Sequence, residues 1–385
     1  MTSTSRADRP TPTGTTTLAD LTTLRVGGPV DRVVDAETEA ELVAAVREAD
    51  ESGTPLLVLG GGSNLLAADE GFPGVVVRDR RRGVERRERY ACAGAFVAVP
   101  AGQPWDEVVA TAVAEGWRGI EALSGIPGST GATPVQNVGA YGQEVAETLE
   151  TVRVYDRLQQ RTRELVVSEL GLGYRTSVLK RSLSDPQAGG GRTWGPTGRY
   201  VVLEVGFQLA LGSTSAPVRY AELARTLDVD LGDRVPAARV REAVLELRRG
   251  KGMVLDAADH DTWSAGSFFT NPVLTAERAD ALLPPDAPRF PVEDRSRPSF
   301  GATPPTVPGL VKTSAAWLIS RAGFDRGHGH PQRAALSSKH VLALTNRGQA
   351  SAADVLALAR EVRDGVRDRF GIELVPEPVL VGLTL

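Results

Sequence analysis

Hydrophobic periodicity divides the chain into three textures. "TEAELVAAVREADESG" carries apolar residues at helical spacing and ends in Gly53, which predicts a helix over 38–53. "PLLVLG" follows as a short buried strand, then "GGSNLL", and "GVVVRD" reads as another strand. Residues 18–91 therefore form a small α/β unit. "AFVAVPAG" is a strand. "PWDEVVATAVAEGW" is a helix with Pro104 near its first turn, where a missing N–H costs nothing. "ETVRVYD", "TRELVV" and "RYVVLEVGFQLAL" are strands, the last with partial period-two alternation. Residues 92–211 make a second, mostly antiparallel unit, and "SLSDPQAGGGRTWGPTGR" interrupts it as an expected surface insertion.

After "GSTSAP" the pattern turns helical. "PAARVREAVLELRRGK", "KTSAAWLISRAG" and "SAADVLALAREVRDGVRDRFG" are amphipathic, and the strand-like "IELVPEPVLVGLTL" ends the chain. Residues 212–385 are thus a third, mixed α/β unit. The first 17 residues, rich in Thr, Ser and Pro, read as a disordered tail without the apolar stretch of a secretory signal. No internal repeat is visible.

Composition narrows the partners. A net charge of −4 argues against nucleic acid or a membrane surface, and the basic run "RDRRRGVERRER" reads as a solvated hairpin or loop. No run approaches the ~20 apolar residues of a membrane helix. Cys92 is the only cysteine, so no internal disulfide forms, which fits a cytoplasmic location.

Two glycine loops carry candidate chemistry. "LGGGSNLL" follows a strand, and its N–H groups can form an anion-binding nest or simply a tight turn. It lacks the G-x-G-x-x-G spacing and the long helix of a dinucleotide fingerprint. "SGIPGSTGATPVQNVGAYGQE" interleaves glycines with Gln136, Asn137 and Tyr141, as a backbone lying close to a flat or phosphorylated ligand would. Further on, "AGSFFTNP" holds Ser267. The four histidines, His260, His328, His330 and His340, sit in no nucleophile-elbow context. Ser267 is then either a turn residue or a proton donor of another kind. "RGHGHPQR" offers two histidines but no third ligand, so a flexible loop is expected there and no metal site.

"GGGSN", "IPGSTGATPVQNVGAYG", "GYRTSVLK", "AGSFFTNP" and "VPEPVLVG" occur in one order and spacing. From about residue 18 to its end the chain resembles the UDP-N-acetylenolpyruvoylglucosamine reductases. The resemblance implies an α+β fold. A two-part FAD-binding module of the vanillyl-alcohol-oxidase (PCMH) type precedes a C-terminal α/β substrate-binding domain. It also implies a monomer that reduces UDP-N-acetylglucosamine enolpyruvate to UDP-N-acetylmuramate for peptidoglycan, with NADPH as hydride donor and FAD as carrier. By motif, Gly60, Gly61, Gly62, Ser63, Asn64 and Leu65 resemble the pyrophosphate loop. Ser124, Gly125, Ile126, Pro127 and Gly128 resemble the start of the flavin-lining segment. Gly131, Ala132, Gln136, Asn137, Gly139, Ala140, Tyr141 and Gly142 continue it. Tyr174, Tyr220, Arg248, Lys251 and Asn271 match substrate contacts, and Arg175, Ser267 and Glu377 the catalytic residues. "RYAEL", with Tyr220, resembles the type I branch, whereas "SSKHVLALTN" is closer to the other, and Thr270 replaces a common lysine.

These residue types suit the implied chemistry. Hydride addition to an enol ether leaves charge that spreads into the neighbouring carboxylate. A fixed arginine stabilises that charge, whereas taken alone Arg175 would read as a surface ion pair. The carbanion is basic enough to take a proton from a positioned hydroxyl, so Ser267 needs no histidine, and Lys251 is a candidate to steady its alkoxide. Glu377, otherwise a strand-end surface residue, would polarise the substrate or, if neutral, donate a hydrogen bond. No histidine precedes position 260, which leaves Cys92 as the remaining tether and predicts non-covalent FAD. Two alternatives stay open: a flavin oxidase of alcohols or hydroxy acids, which would need a base, and a non-catalytic nucleotide-sugar sensor.

Overall fold

The computed structural model describes residues 15–87, 94–295 and 304–385. The proposed tail up to residue 14, Cys92 and the end of the basic run lie outside them. In the first unit, parallel strands are ordered Val30–Ala36, Phe72–Asp79, Leu56–Leu59. The helix Glu39–Ser52 covers one face. Thr38 closes a capping box with Glu41 at its start, and Gly53, at φ 69°, ends it.

The second unit is an antiparallel sheet ordered Arg161–Val166, Leu149–Asp156, Tyr200–Leu211, Ala95–Pro100, Glu85–Arg87. The long strand shows why its alternation is only partial. Val201 and Leu203 face the core beneath the first helix, while Val202, Val205, Phe207 and Leu209 face a separate core around Trp105. A register shift against Arg153 and Val154 switches the faces, and both faces are covered. The helix Trp105–Ala114 begins directly after Pro104. Trp105 is fully buried, donating its indole N–H to the Leu123 carbonyl at 3.1 Å.

Beyond residue 212 the chain serves two cores. The helices Ala221–Leu227 and Ala237–Gly250 pack with Ala122 and Tyr141 of the second unit. The remainder builds its own core from Phe268, Phe269, Leu318, Ile319 and the inner face of Ala352–Phe370, joined by Leu24, Val26 and Leu66 from the first unit. Strand Val379–Val381 returns to pair in parallel with Leu65–Ala67, carrying the residues before it to the edge of the first glycine loop. No helix among the described residues is long and apolar enough to cross a membrane.

One stretch differs from expectation. Residues 182–199 are not a loose surface insertion. Trp194 is buried, with Arg157 and Arg192 stacked 4.7 and 3.5 Å from its ring, and Thr197 Oγ1 accepts from the Val58 N–H at 2.7 Å. The cause is that aromatic anchor, set among small residues that otherwise read as loop. The described part of the basic run is mostly exposed, as expected, and several of its arginines are held by ion pairs. Arg78 bonds Asp35, Arg81 bonds Asp79 and Glu39, and Arg87 bonds Glu204. Asp35, Glu39 and Glu204 lie far away in sequence, so their pairs with the run are invisible to a local reading.

Candidate active site

The two glycine loops lie back to back. A side chain at Gly61 would bring its Cβ within 2.5 Å of the Gly128 Cα, so only glycine permits the approach. Ser63 Oγ fastens the pair by donating to the Pro127 carbonyl at 2.9 Å. Between the loops and the C-terminal region runs a cleft of about 550 Å³. Its walls hold Gly60 to Leu65, Ile126, Pro127, Gly131, Ala132, Gln136 and Gly139 to Tyr141. Arg175, Tyr220, Arg248, Lys251, Ser267 and Glu377 lie along the same cleft. The distant motifs therefore converge on one site.

Other expected site residues stand behind the walls. Ser124 is fully buried, and its Oγ donates to the Glu121 carbonyl. The Gly125 N–H is held by Asp106 at 2.6 Å. Gly128 backs Gly61, and Gly142 packs against Arg219. Asn137, buried with φ 47°, spends its amide on Glu144 and the Gly173 carbonyl and its Oδ1 on the Ala146 N–H. Asn271 Oδ1 accepts from Ala315 N–H, and its own N–H donates to the Tyr174 hydroxyl at 3.2 Å. These residues fix the shape of the loops through groups that local sequence cannot pair.

Arg175 sits at φ 53°, in the left-handed region that a non-glycine residue occupies at a cost. Its Nη2 donates to the Gly139 carbonyl at 3.0 Å and its Nη1 to that of Asn137 at 3.4 Å. Nε lies 3.3 Å from Glu377 Oε1, within ion-pair range, and makes no well-aligned hydrogen bond among the described residues. Burial works most strongly against the charge, yet Glu377, then Tyr174 and Glu144, outweigh it and keep the guanidinium pKa above its ordinary value.

Ser267 follows Gly266 at φ 74° and precedes the buried, edge-to-face pair Phe268 and Phe269. Its hydroxyl reaches the cleft and bonds no other described residue. The Glu377 N–H donates to the Phe268 carbonyl at 2.8 Å, and the Thr270 N–H to that of Val375 at 3.0 Å. These two main-chain bonds bring the serine loop and the "PEP" segment together, although 110 residues separate Ser267 from Glu377 in sequence.

The outer end is cationic and aromatic. Lys251 is ion-paired to Glu222 rather than to Ser267, and its ammonium lies 5.4 Å from the Tyr141 ring. Tyr141 meets Tyr220 edge to face at 5.5 Å, and burial pushes its pKa up to about 12. Burial lowers Arg248 to about 10; its Nη2 bonds the Met253 carbonyl, while its Nε has no acceptor. His340 also lines the cleft, held down to about 4 by burial first and by Lys251 and Arg326 next. Among the described residues no three His, Cys, Asp or Glu gather as a metal site, and His328 bonds Glu361.

Residues 30–158 match the profile of an FAD binding domain, and residues 258–381 that of the UDP-N-acetylenolpyruvoylglucosamine reductase C-terminal domain. Over 98% of this chain and 98% of the relative, it is 54% identical to the UDP-N-acetylenolpyruvoylglucosamine reductase of Saccharopolyspora erythraea. The chain belongs to that reductase family. The Thermobifida fusca member is 53% identical, covering 96% of this chain and 97% of its own. The solved reductase (MurB) of Thermus caldophilus, 28% identical, superposes with a TM-score of 0.59 over 96% of this chain and 98% of that one. The cleft fits a flavin dinucleotide. Apolar side chains and glycine backbone of the two loops line one part, as a flat ring and a pyrophosphate require, while Arg175 and Arg248 each keep a buried N–H without an acceptor among the described residues.

The family motifs did not point to the buried Arg295. It reaches from residues 290–295 to Glu144 at 3.1 Å and Glu147 at 3.4 Å, bracing the loop on which Arg175 rests. Nor was Lys312 singled out, whose ammonium lies 4.6 Å from the Tyr174 ring. Both lie outside the motifs that carry the family resemblance.

Proposed function

We propose that this chain reduces UDP-N-acetylglucosamine enolpyruvate to UDP-N-acetylmuramate, at the expense of NADPH and with FAD held without a covalent bond. Bound FAD supplies the hydride carrier between the two substrates. Arg175 holds the enolpyruvyl carboxylate with its unpaired Nε–H and stabilises the charge that hydride addition sends into it. Ser267 Oγ–H gives its proton to the carbon next to that carboxylate, and the alkoxide is reprotonated from solvent. Glu377 Oε2, which bonds no described residue, faces the substrate, while Oε1 stays with Arg175 and Gln136. Lys251 and Arg248 take the diphosphate, and Tyr220 covers the nucleotide. The enzyme works as a monomer in the cytoplasm on soluble substrates.

One observation carries this reading: a cation, a hydroxyl without a base and a carboxylate share one cleft. An oxidase would need a base to take a substrate proton, and the serine loop offers an acid instead. The test is anaerobic. NADPH should bleach the flavin absorbance, and the enolpyruvyl nucleotide should restore it. Bleaching by an alcohol, with no response to NADPH, would show an oxidase. Precipitation in acid should leave the yellow colour in the supernatant; colour in the pellet would show a covalent bond.

A further inference from the structure

The motif "GYRTSVLK" ends in Lys180, which none of the steps above uses. Its ammonium donates to Gln136 Oε1 at 3.1 Å and to the main-chain carbonyl of Glu377 at 3.0 Å. Asn64 Nδ2 donates to the same Gln136 oxygen at 2.8 Å. With its oxygen held by two donors, the Gln136 amide must turn its NH2 the other way, and Nε2 donates to Glu377 Oε1 at 2.9 Å. A flipped amide would set NH2 against an ammonium and oxygen against a carboxylate. Both loops, the arginine turn and the C-terminal segment thus meet at one amide.

Lys180 does not take the carboxylate for itself. A direct ion pair would compete with Arg175 for the same oxygens. Bonding an amide oxygen and a main-chain carbonyl instead orients Glu377 and leaves its charge to Arg175 and a ligand. Holding a cation there is costly. Burial, the largest influence, lowers the Lys180 pKa below the ordinary lysine value, against the pull of Glu377. A lysine serving only to fill space would be served as well by methionine.

We propose that Lys180 is a positioning residue for the reduction: it locks Gln136 and the Glu377 main chain so that Glu377 gives one carboxylate oxygen to Arg175 and the other to the substrate. This rests on the reading of Glu377 as a substrate-facing carboxylate. The test uses flavin-loaded enzyme, with each half-reaction followed separately in an anaerobic stopped-flow instrument. K180M should slow reoxidation by the enolpyruvyl nucleotide about 10- to 100-fold, leave reduction by NADPH within about threefold, and be largely rescued in K180R. E377Q should slow the same half-reaction, and K180M added to E377Q should cost less than about threefold more.

Independent, multiplying effects of the two substitutions would overturn the proposal, as would an equal loss of both half-reactions in K180M. Wild-type reoxidation in E377Q would instead overturn the reading of Glu377, whatever K180M does. Should K180M fail to retain flavin, Q136M breaks the relay from its other side. Its defect is expected in the same half-reaction and non-additive with E377Q, and additivity there would overturn the proposal too.

Discussion

The inner and outer ends of the cleft are held by different means. At the inner end, Arg175 rests on two main-chain carbonyls, and main-chain bonds tie the Ser267 loop to Glu377. At the outer end, long side chains hold one another: Lys251 by Glu222, Tyr141 by the half-exposed Tyr220. The inner groups are preorganised, as the stabilisation of developing charge requires. The outer ones are held by side chains alone, without main-chain anchors of this kind.

The contrast predicts opposite kinetic signatures. R175K keeps the charge but loses the planar fork and its two carbonyl anchors. Reoxidation by the enolpyruvyl nucleotide should slow by about 10²–10³-fold with KM little changed. A change in KM alone would place Arg175 with the binding groups. K251M should do the reverse, raising KM for the nucleotide by about 10-fold or more while kcat stays within a few-fold. A large fall in kcat with KM intact would erase the distinction between the ends.

His340 sharpens the comparison through stability. Its imidazole pKa is about 4 in the folded chain against 6.5 for the ordinary group, so between those values the unfolded chain binds more protons. Its contribution is therefore present above pH 6.5 and lost as pH falls toward 4, by about 2 kcal/mol between pH 7 and 5. Urea unfolding of H340N should show that much less pH dependence over this window. An unchanged slope would mean that other groups carry it. The smallest expected effect is that of R295M, which loosens the Glu144–Glu147 brace behind Arg175 and should lower kcat by about 3- to 10-fold.

Much of this was legible in the sequence where the information is local. The helix over 38–53 is bounded by a capping box and a left-handed glycine. The glycine loops declare themselves because only glycine tolerates their approach. The grouping of Arg175, Ser267 and Glu377 comes from motif resemblance, since nothing local joins Ser267 to Glu377; main-chain bonds do. What stayed hidden depends on distant partners. The Asn137 amide bonds Glu144, and Asn271 Oδ1 accepts from the Ala315 N–H, partners that no local pattern announces. Residues 182–199 look like a loop until Trp194 is seen to be buried. Lys180 ends the motif "GYRTSVLK", but its bonds run to Gln136 and Glu377, far away in sequence.

Ser267 is proposed as an acid rather than a nucleophile or a turn residue. The most direct measurement is the pair of half-reactions in S267A under anaerobic conditions. Reduction of the flavin by NADPH should proceed at close to the wild-type rate, while reoxidation by the enolpyruvyl nucleotide should slow by about 10²–10⁴-fold. Equal slowing of both, or reoxidation at the wild-type rate, would contradict the role of Ser267 as proton donor.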